Sequence, residues 1–217
     1  MTEQRPGARE WVPDEPTVAS MRAAAQRCRG CELHADATQA VMGEGPEGAD
    51  LMLVGEQPGD REDREGHPFV GPAGRLLDRA LDEAGIDPAR VYRTNVVKHF
   101  RFSGTRGKQR IHKSPSRVHV AACGPWLLAE LDVVRPTGVV LLGATAGQAV
   151  LGPSFRVGGE RGRLLAWPDD PGVGRTDHPP EWVMGTAHPS SVLRSRTRDE
   201  DLELLVGDLR TAAEACG

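Results

Sequence analysis

"DLMLVGEQPGD", residues 50–60, decides the fold. The apolar run of Leu51 to Val54 enters a Gly/Pro turn, which reads as a buried strand whose carboxyl end opens into a loop. "GPAGRLLDRALDEAGI" (71–86) follows as an amphipathic helix, with Leu76, Leu77, Ala80, Leu81 and Ala84 on one face and Gly85 as its stop. Outward from this unit the alternation repeats. A helix over 17–29, capped by Thr17 or Ser20, precedes it. "RVYRTNVVKHF" (90–100) reads as a second strand, "RVHVAACGPWLLAELDVV" (117–134) as a helix, and "TGVVLLGATAG" (137–147) as a third strand with a helix behind it. Residues 155–180 mix Gly, Pro and charge, as a hairpin and an exposed loop would. "EWVMGTAHPSSVLR" (181–194) is a last strand ending in a polar loop, and "DEDLELLVGDLRTAAEAC" (199–216) a closing helix. Strands alternating with helices imply three α/β/α layers around a mostly parallel, four-stranded sheet, with ligands at the carboxyl ends of the strands.

The chain of 217 residues suits one domain, over 17–217, preceded by a Pro-rich, charged and aperiodic stretch (1–16) expected to be a mobile arm. The net charge of -4 argues against wholesale wrapping by nucleic acid, yet Lys98 to Arg117 holds seven Lys or Arg and no acid. That local basic segment is the stronger indicator of a polyanionic partner. No signal peptide or membrane span is recognisable, so a cytoplasmic protein is expected, in which four cysteines point to metal ligation or burial rather than to disulfides.

Five features carry candidate chemistry. Cys28 and Cys31 form a C-x-x-C, with Cys123 far downstream and either His99 or Cys216 as a fourth candidate. The spacing suits zinc or an iron–sulfur cluster, and equally a redox pair or packed thiols. "GEQPGDREDREGHPFVG" (55–71) combines glycines that admit a close ligand with the acids Glu56, Asp60 and Asp63 and the flat face of Phe69. Asn95 lies inside an apolar run, where its amide must be paired and its donor and acceptor match one edge of a pyrimidine. "AHPSSVLR" sets His188 and two hydroxyls at a strand end. "RGKQRIHKSPS" (106–116) carries a lone imidazole, His112, among cations.

With these motifs in this order, the chain from Cys28 to Arg194 resembles the uracil-DNA glycosylase superfamily, most closely its iron–sulfur branch, family 4. "GEQPG", "HPFVGPAGRLLDRAL", "TNVVK", "LLGATA" and "HPSSVLR" carry the resemblance. Family 4 has a cysteine after its "TN-V-K" stretch. Here that position is His99, which is similar to the UdgX subgroup. UdgX members also insert a basic loop, K-R-R-I-H, matched here by Lys108, Gln109, Arg110, Ile111 and His112 within a loop expected over 101–116. Gln109 is the one departure.

The resemblance implies a [4Fe-4S] cluster held by Cys28, Cys31, His99 and Cys123, structural in role, with Cys216 outside it. It implies excision of uracil from DNA, single-stranded DNA favoured, with free uracil as product and the protein a monomer. A glycosylase takes the base out of the stack and breaks its N1–C1′ bond. Phe69 would stack on uracil, Asn95 pair with O4 and N3–H, Gln57 contribute through its backbone, and His188 donate to O2 as negative charge develops. In UdgX-like proteins the loop histidine, here His112, becomes linked to C1′, with Glu56 orienting it or taking its proton and Asp60 helping. Lys108, Arg110, Lys113 and Ser190 would contact DNA. Two other readings compete: ordinary turnover with water as nucleophile, and a non-enzymatic iron–sulfur DNA-binding module.

Overall fold

The computed structural model describes residues 7–217, and its central sheet is built as the apolar runs require. In chain order the elements are α1 (Val18–Ala25), α2 (Leu33–Asp36), β1 (Leu51–Gly55), α3 (Asp60–Glu65), α4 (Pro72–Ala84), β2 (Val91–Asn95), β3 (Phe102–Arg106) and β4 (Gln109–His112). They continue with α5 (Arg117–Val134), β5 (Gly138–Leu142), α6 (Ala144–Leu151), α7 (Val157–Glu160), β6 (Leu165–Ala166), β7 (Trp182–Thr186), α8 (Pro189–Arg194) and α9 (Arg198–Ala215). The main sheet runs β2-β1-β5-β7-β6, parallel throughout except for the antiparallel edge strand β6. It thus has five strands, not the four expected.

Side-chain alternation divides the core. Leu51 and Leu53 of β1 join Leu76, Leu77 and Leu81 of α4 and Leu205 and Leu209 of α9 on one face, while Met52 and Val54 join Leu127 and Leu131 of α5 and Val150 of α6 on the other. Every residue of β1, β5 and β7 is buried, the signature of a parallel sheet covered on both sides. The chain leaves β1 for β2 on one side and later crosses back to place β5 on the other. The sheet's topological switch point therefore lies where the carboxyl ends of β1 and β5 meet.

Other expectations need adjustment. The first helix is shorter than expected, with Thr17 and Ser20 forming a reciprocal cap. The second strand stops at Asn95, and the basic segment is an antiparallel ribbon of β3 and β4 rather than a loop. Residues 155–180 supply the short α7 and β6 instead of a hairpin. Of the arm expected over 1–16, residues 1–6 lie outside the described residues. Gly7 N–H donates to Gly30 O (3.0 Å) and Ala8 N–H to Ala122 O (2.8 Å), so the segment that follows is laid against α5.

Candidate active site

Four strand ends and one ribbon build the site. Glu56 and Gln57 follow β1, Asn95 ends β2, Thr145 is the second residue of α6 behind β5, and His188 follows β7. At the end of β1, Gly55 pairs in register with Asn95. A Cβ on Gly55 would come within 2.4 Å of Asn95 Oδ1 and 2.9 Å of the tip of the Phe69 ring, so the missing side chain is what lets these two converge. Phe69 is buried and held at φ 57°, a left-handed conformation uncommon for a non-glycine residue. Gly74 of α4 closes against it: a Cβ there would overlap Phe69 O at 1.6 Å.

Asn95 is secured from below by a buried ion pair that sequence inspection missed. Lys98 Nζ donates to Asn95 O (2.6 Å), Thr94 Oγ1 (2.7 Å) and Glu130 Oε2 (2.6 Å), while Glu130 Oε1 accepts from Gly43 N–H (2.8 Å) and Tyr92 O–H (3.2 Å). A buried charge persists only when paired and hydrogen-bonded, and each partner here is. The signal available in the sequence was the lysine within "NVVK", a cation in an apolar run that demands a distant acid.

His188 caps α8: its Nδ1 accepts the Ser190 N–H at 3.1 Å. That bond assigns the ring proton to Nε2, leaving a neutral imidazole with one donor to offer. Burial pushes the imidazole down to about 4, the nearby Glu56 carboxylate opposing this only in part, so it is neutral at physiological pH.

The ribbon brings His112 to the same end of the sheet. His112 Nε2 lies 3.2 Å from Glu56 Oε1, with His112 half exposed and Glu56 largely enclosed. The other carboxylate oxygen, Oε2, accepts a hydrogen bond from the Thr145 hydroxyl. Burial would raise the Glu56 carboxyl, but hydrogen bonds from His112, Thr145 and Ser114 together outweigh it and hold the group below the usual carboxylate range. The imidazole thus faces a carboxylate, an arrangement able to orient it and to accept its proton.

Two anchors hold the ribbon in place. The Gln57 side chain spans its base, accepting from Arg101 N–H (3.1 Å) and donating to Arg101 O and Lys113 O (both 3.1 Å). Arg110 reaches inward to Asp60 and, at 2.8 Å, to Asp63, donates to Thr38 Oγ1 at 3.2 Å, and lies 5.2 and 5.1 Å from the ring centres of Phe100 and Phe102. Its side chain is only 11% exposed. The sequence places Arg110 at DNA and Asp60 beside His112; here Arg110 and Arg64 both engage the Asp60 carboxylate instead, and Arg110 also pairs with Asp63. Lys108 and Lys113 are exposed, as a DNA contact would require, and Ser190 lies half-buried beside His188.

Between α5, which carries Cys123 and Trp126, and the segments beside it, Cys28, Cys31 and Cys123 are buried in one apolar cluster with Met21, Leu33, Val97 and Trp126. His99 is buried too, and burial pushes its imidazole down to about 4, leaving it in the neutral form that ligates metals. Burial pushes the Cys123 thiol up to about 12, so a thiolate there needs compensating positive charge, and the Lys98 N–H donates to its sulfur at 3.3 Å. Among the described residues no three His, Cys, Asp or Glu side chains converge on a point suited to one metal ion. Three enclosed thiols and a neutral imidazole are donor types that an iron–sulfur cluster accepts, as zinc also does. Cys216 stands apart, at the end of α9 near Asp50.

Comparison with known proteins agrees with this geometry. The chain is 35% identical over 189 residues to the type-4 uracil-DNA glycosylase of Thermotoga maritima, covering 82% of this chain and 87% of that protein. It is 32% identical over 197 residues to the type-4 uracil-DNA glycosylase of Archaeoglobus fulgidus, covering 88% of each. Residues 42–210 match the Uracil DNA glycosylase superfamily. That span takes in every strand of the sheet and each of the loops that bring Glu56, Asn95, His112, Thr145 and His188 together, and the chain is therefore a member of the uracil DNA glycosylase superfamily.

Proposed function

We propose that this protein excises uracil from DNA and becomes covalently linked to the resulting abasic site through His112, as the UdgX subgroup does. The observation that carries the reading is the His112–Glu56 pair, 3.2 Å apart, with His188 close by and Asn95 and Phe69 converging at Gly55, the residue before Glu56. The extruded base stacks on Phe69 and pairs with the Asn95 amide through O4 and N3–H, while the Gln57 backbone borders it. Cytosine presents the reversed pattern at this edge and leaves the amide mispaired, a cost of about 1–3 kcal/mol.

As the N1–C1′ bond breaks, its electron pair leaves with uracil, and His188 Nε2–H donates to O2 where the charge accumulates. One imidazole nitrogen of His112 gives its lone pair to C1′, and the proton on the other passes to Glu56 and then to solvent. Uracil takes up one proton, so the reaction balances as histidine plus uracil-DNA giving linked product plus free uracil. The adduct is a neutral N-glycosyl imidazole, a poor leaving group, and turnover stops there.

Lys108 and Lys113 steer the phosphates, and single-stranded DNA is favoured because no pairing must be broken. Cys28, Cys31, His99 and Cys123 would hold a [4Fe-4S] cluster, whose contribution when bound is to tie α5 and the segment after β2 together. Among the described residues no helix is long and apolar enough to cross a membrane. Single-turnover action as a monomer, by one domain over 17–217 with the ribbon inserted at 101–116, completes the proposal.

A second reading rests on Glu56 itself, since a carboxylate at this position can orient water instead, giving conventional turnover with His112 as a DNA contact. Incubation with end-labelled single-stranded DNA carrying one uracil, resolved on a denaturing gel, separates the two. The proposal expects a slowed band that survives heat and detergent and is absent with His112→Ala. Alkali-labile abasic DNA without that band would establish ordinary turnover, and unchanged DNA a binding module.

A further inference from the structure

We infer that Thr145 is a positioning residue for the capture step: its hydroxyl holds one oxygen of the Glu56 carboxylate so that the other faces His112. The inference rests on the capture reading above and deepens it.

Glu56 is the first residue beyond β1 and Thr145 the second of α6, which starts directly after β5. Their hydrogen bond, Thr145 Oγ1–H to Glu56 Oε2, spans 89 positions of sequence and bridges the switch point of the sheet. Both ends are firmly mounted. β1 and β5 are paired in register, and Gly143 N–H donates to Thr186 O at 2.9 Å, tying the start of α6 to the end of β7. His112, by contrast, comes in on a ribbon outside the main sheet and meets Oε1 at 3.2 Å.

A carboxylate on a flexible stem sweeps a wide arc unless a second bond fixes its plane, and a general base misplaced by about 1 Å can cost about 10²-fold in rate. Thr145 supplies that second bond. Asn95, Phe69 and His188, which serve excision, are mounted on β2, the turn before α4 and the turn after β7. Thr145 therefore bears on capture more than on release.

The groups facing Glu56 are His112 from β4, His188 from the turn before α8, and the hydroxyls of Thr145 and Ser114. Removing one hydroxyl donor weakens the bonds that keep Glu56 ionised. The acid limb of capture, set by protonation of the Glu56 carboxylate, then moves to higher pH.

The test measures uracil release and cross-linked product in one time course, on single-stranded uracil-DNA, for wild type, Thr145→Val and Thr145→Ser. We expect the yield of adduct per uracil released to fall about ten-fold or more in Thr145→Val, with its acid limb displaced upward, and to recover in Thr145→Ser. Thermal melting of all three proteins checks folding, and the serine variant reports on the hydroxyl even if valine disturbs packing. If Thr145→Val keeps the wild-type ratio and acid limb, or if serine fails to restore them, the inference is overturned while capture stands. If wild type releases uracil but forms no adduct, the capture reading and this inference fall together.

Discussion

His188 and His112 are imidazoles near the same carboxylate, yet they are mounted in opposite ways. His188 sits at the rigid junction of β7 and α8, its tautomer fixed by the Ser190 N–H and its ring kept neutral by burial. His112 is half exposed on a ribbon outside the main sheet, held by the Gln57 side chain at the base and the Arg110–Asp60–Asp63 contact further out. The first arrangement suits a donor that must not move while charge develops on a leaving base. The second suits an addition to an existing site. On the proposed mechanism the departing base is served from the sheet while the nucleophile is carried on the ribbon, so excision and capture should separate under mutation.

The largest separation is expected of His112→Ala, which should abolish the stable adduct while still releasing uracil. The same gel that detects the adduct, followed by alkali cleavage, reads both. His188→Ala should strike the earlier step, slowing uracil release about 10²–10³-fold, the range for losing one preorganised donor to a developing anion. Single-turnover release of labelled uracil measures it. Capture must fall in parallel, because the nucleophile meets C1′ only as the base departs.

A smaller effect is expected where ribbon and body are joined. Arg110→Met keeps much of the apolar stem over Phe100 and Phe102 but leaves the buried Asp63 without its cation. Adduct formation should slow by about ten-fold while uracil release changes less, since truncating a charge-assisted contact costs about 1.5–3 kcal/mol at the site it supports. Equal losses in both steps would mean that the ribbon also shapes the base pocket.

The smallest effect is on stability against pH. The folded His188 imidazole lies near 4, below its ordinary 6.5, so the unfolded chain binds the extra proton in that interval. Stability from this group is fully present above about pH 6.5 and is lost as pH falls toward 4. Denaturant midpoints across that window should decline less steeply for His188→Gln than for wild type. Because His99 titrates over a similar range, the difference between the two proteins is the informative quantity.

Part of this arrangement is legible in the sequence. The strand-to-loop transition at Val54–Gly55 and the polar residues at three strand ends could be read directly, because a buried parallel strand leaves an unbroken apolar run and its carboxyl end must turn. The edge strand β6 could not. Two residues, Leu165 and Ala166, make no periodic pattern and take their conformation from Trp182 and Val183 opposite. The ribbon was hidden for a related reason: β3 and β4 are largely exposed on both faces, so no alternation of apolar and polar residues marks them as strands. Arg110 read as a surface cation because its acidic partners lie about 50 positions away, and Thr145 read as part of an apolar segment because its partner lies 89 away. Contacts of that separation exist only once the sheet order brings the strand ends together.

The most direct test of the central claim is mass spectrometry of the intact reaction product, followed by nuclease and protease digestion. The account predicts a protein heavier by the oligonucleotide less uracil, with the sugar remnant on the peptide bearing His112. A protein of unchanged mass beside released uracil, or a remnant on any other residue, would contradict it.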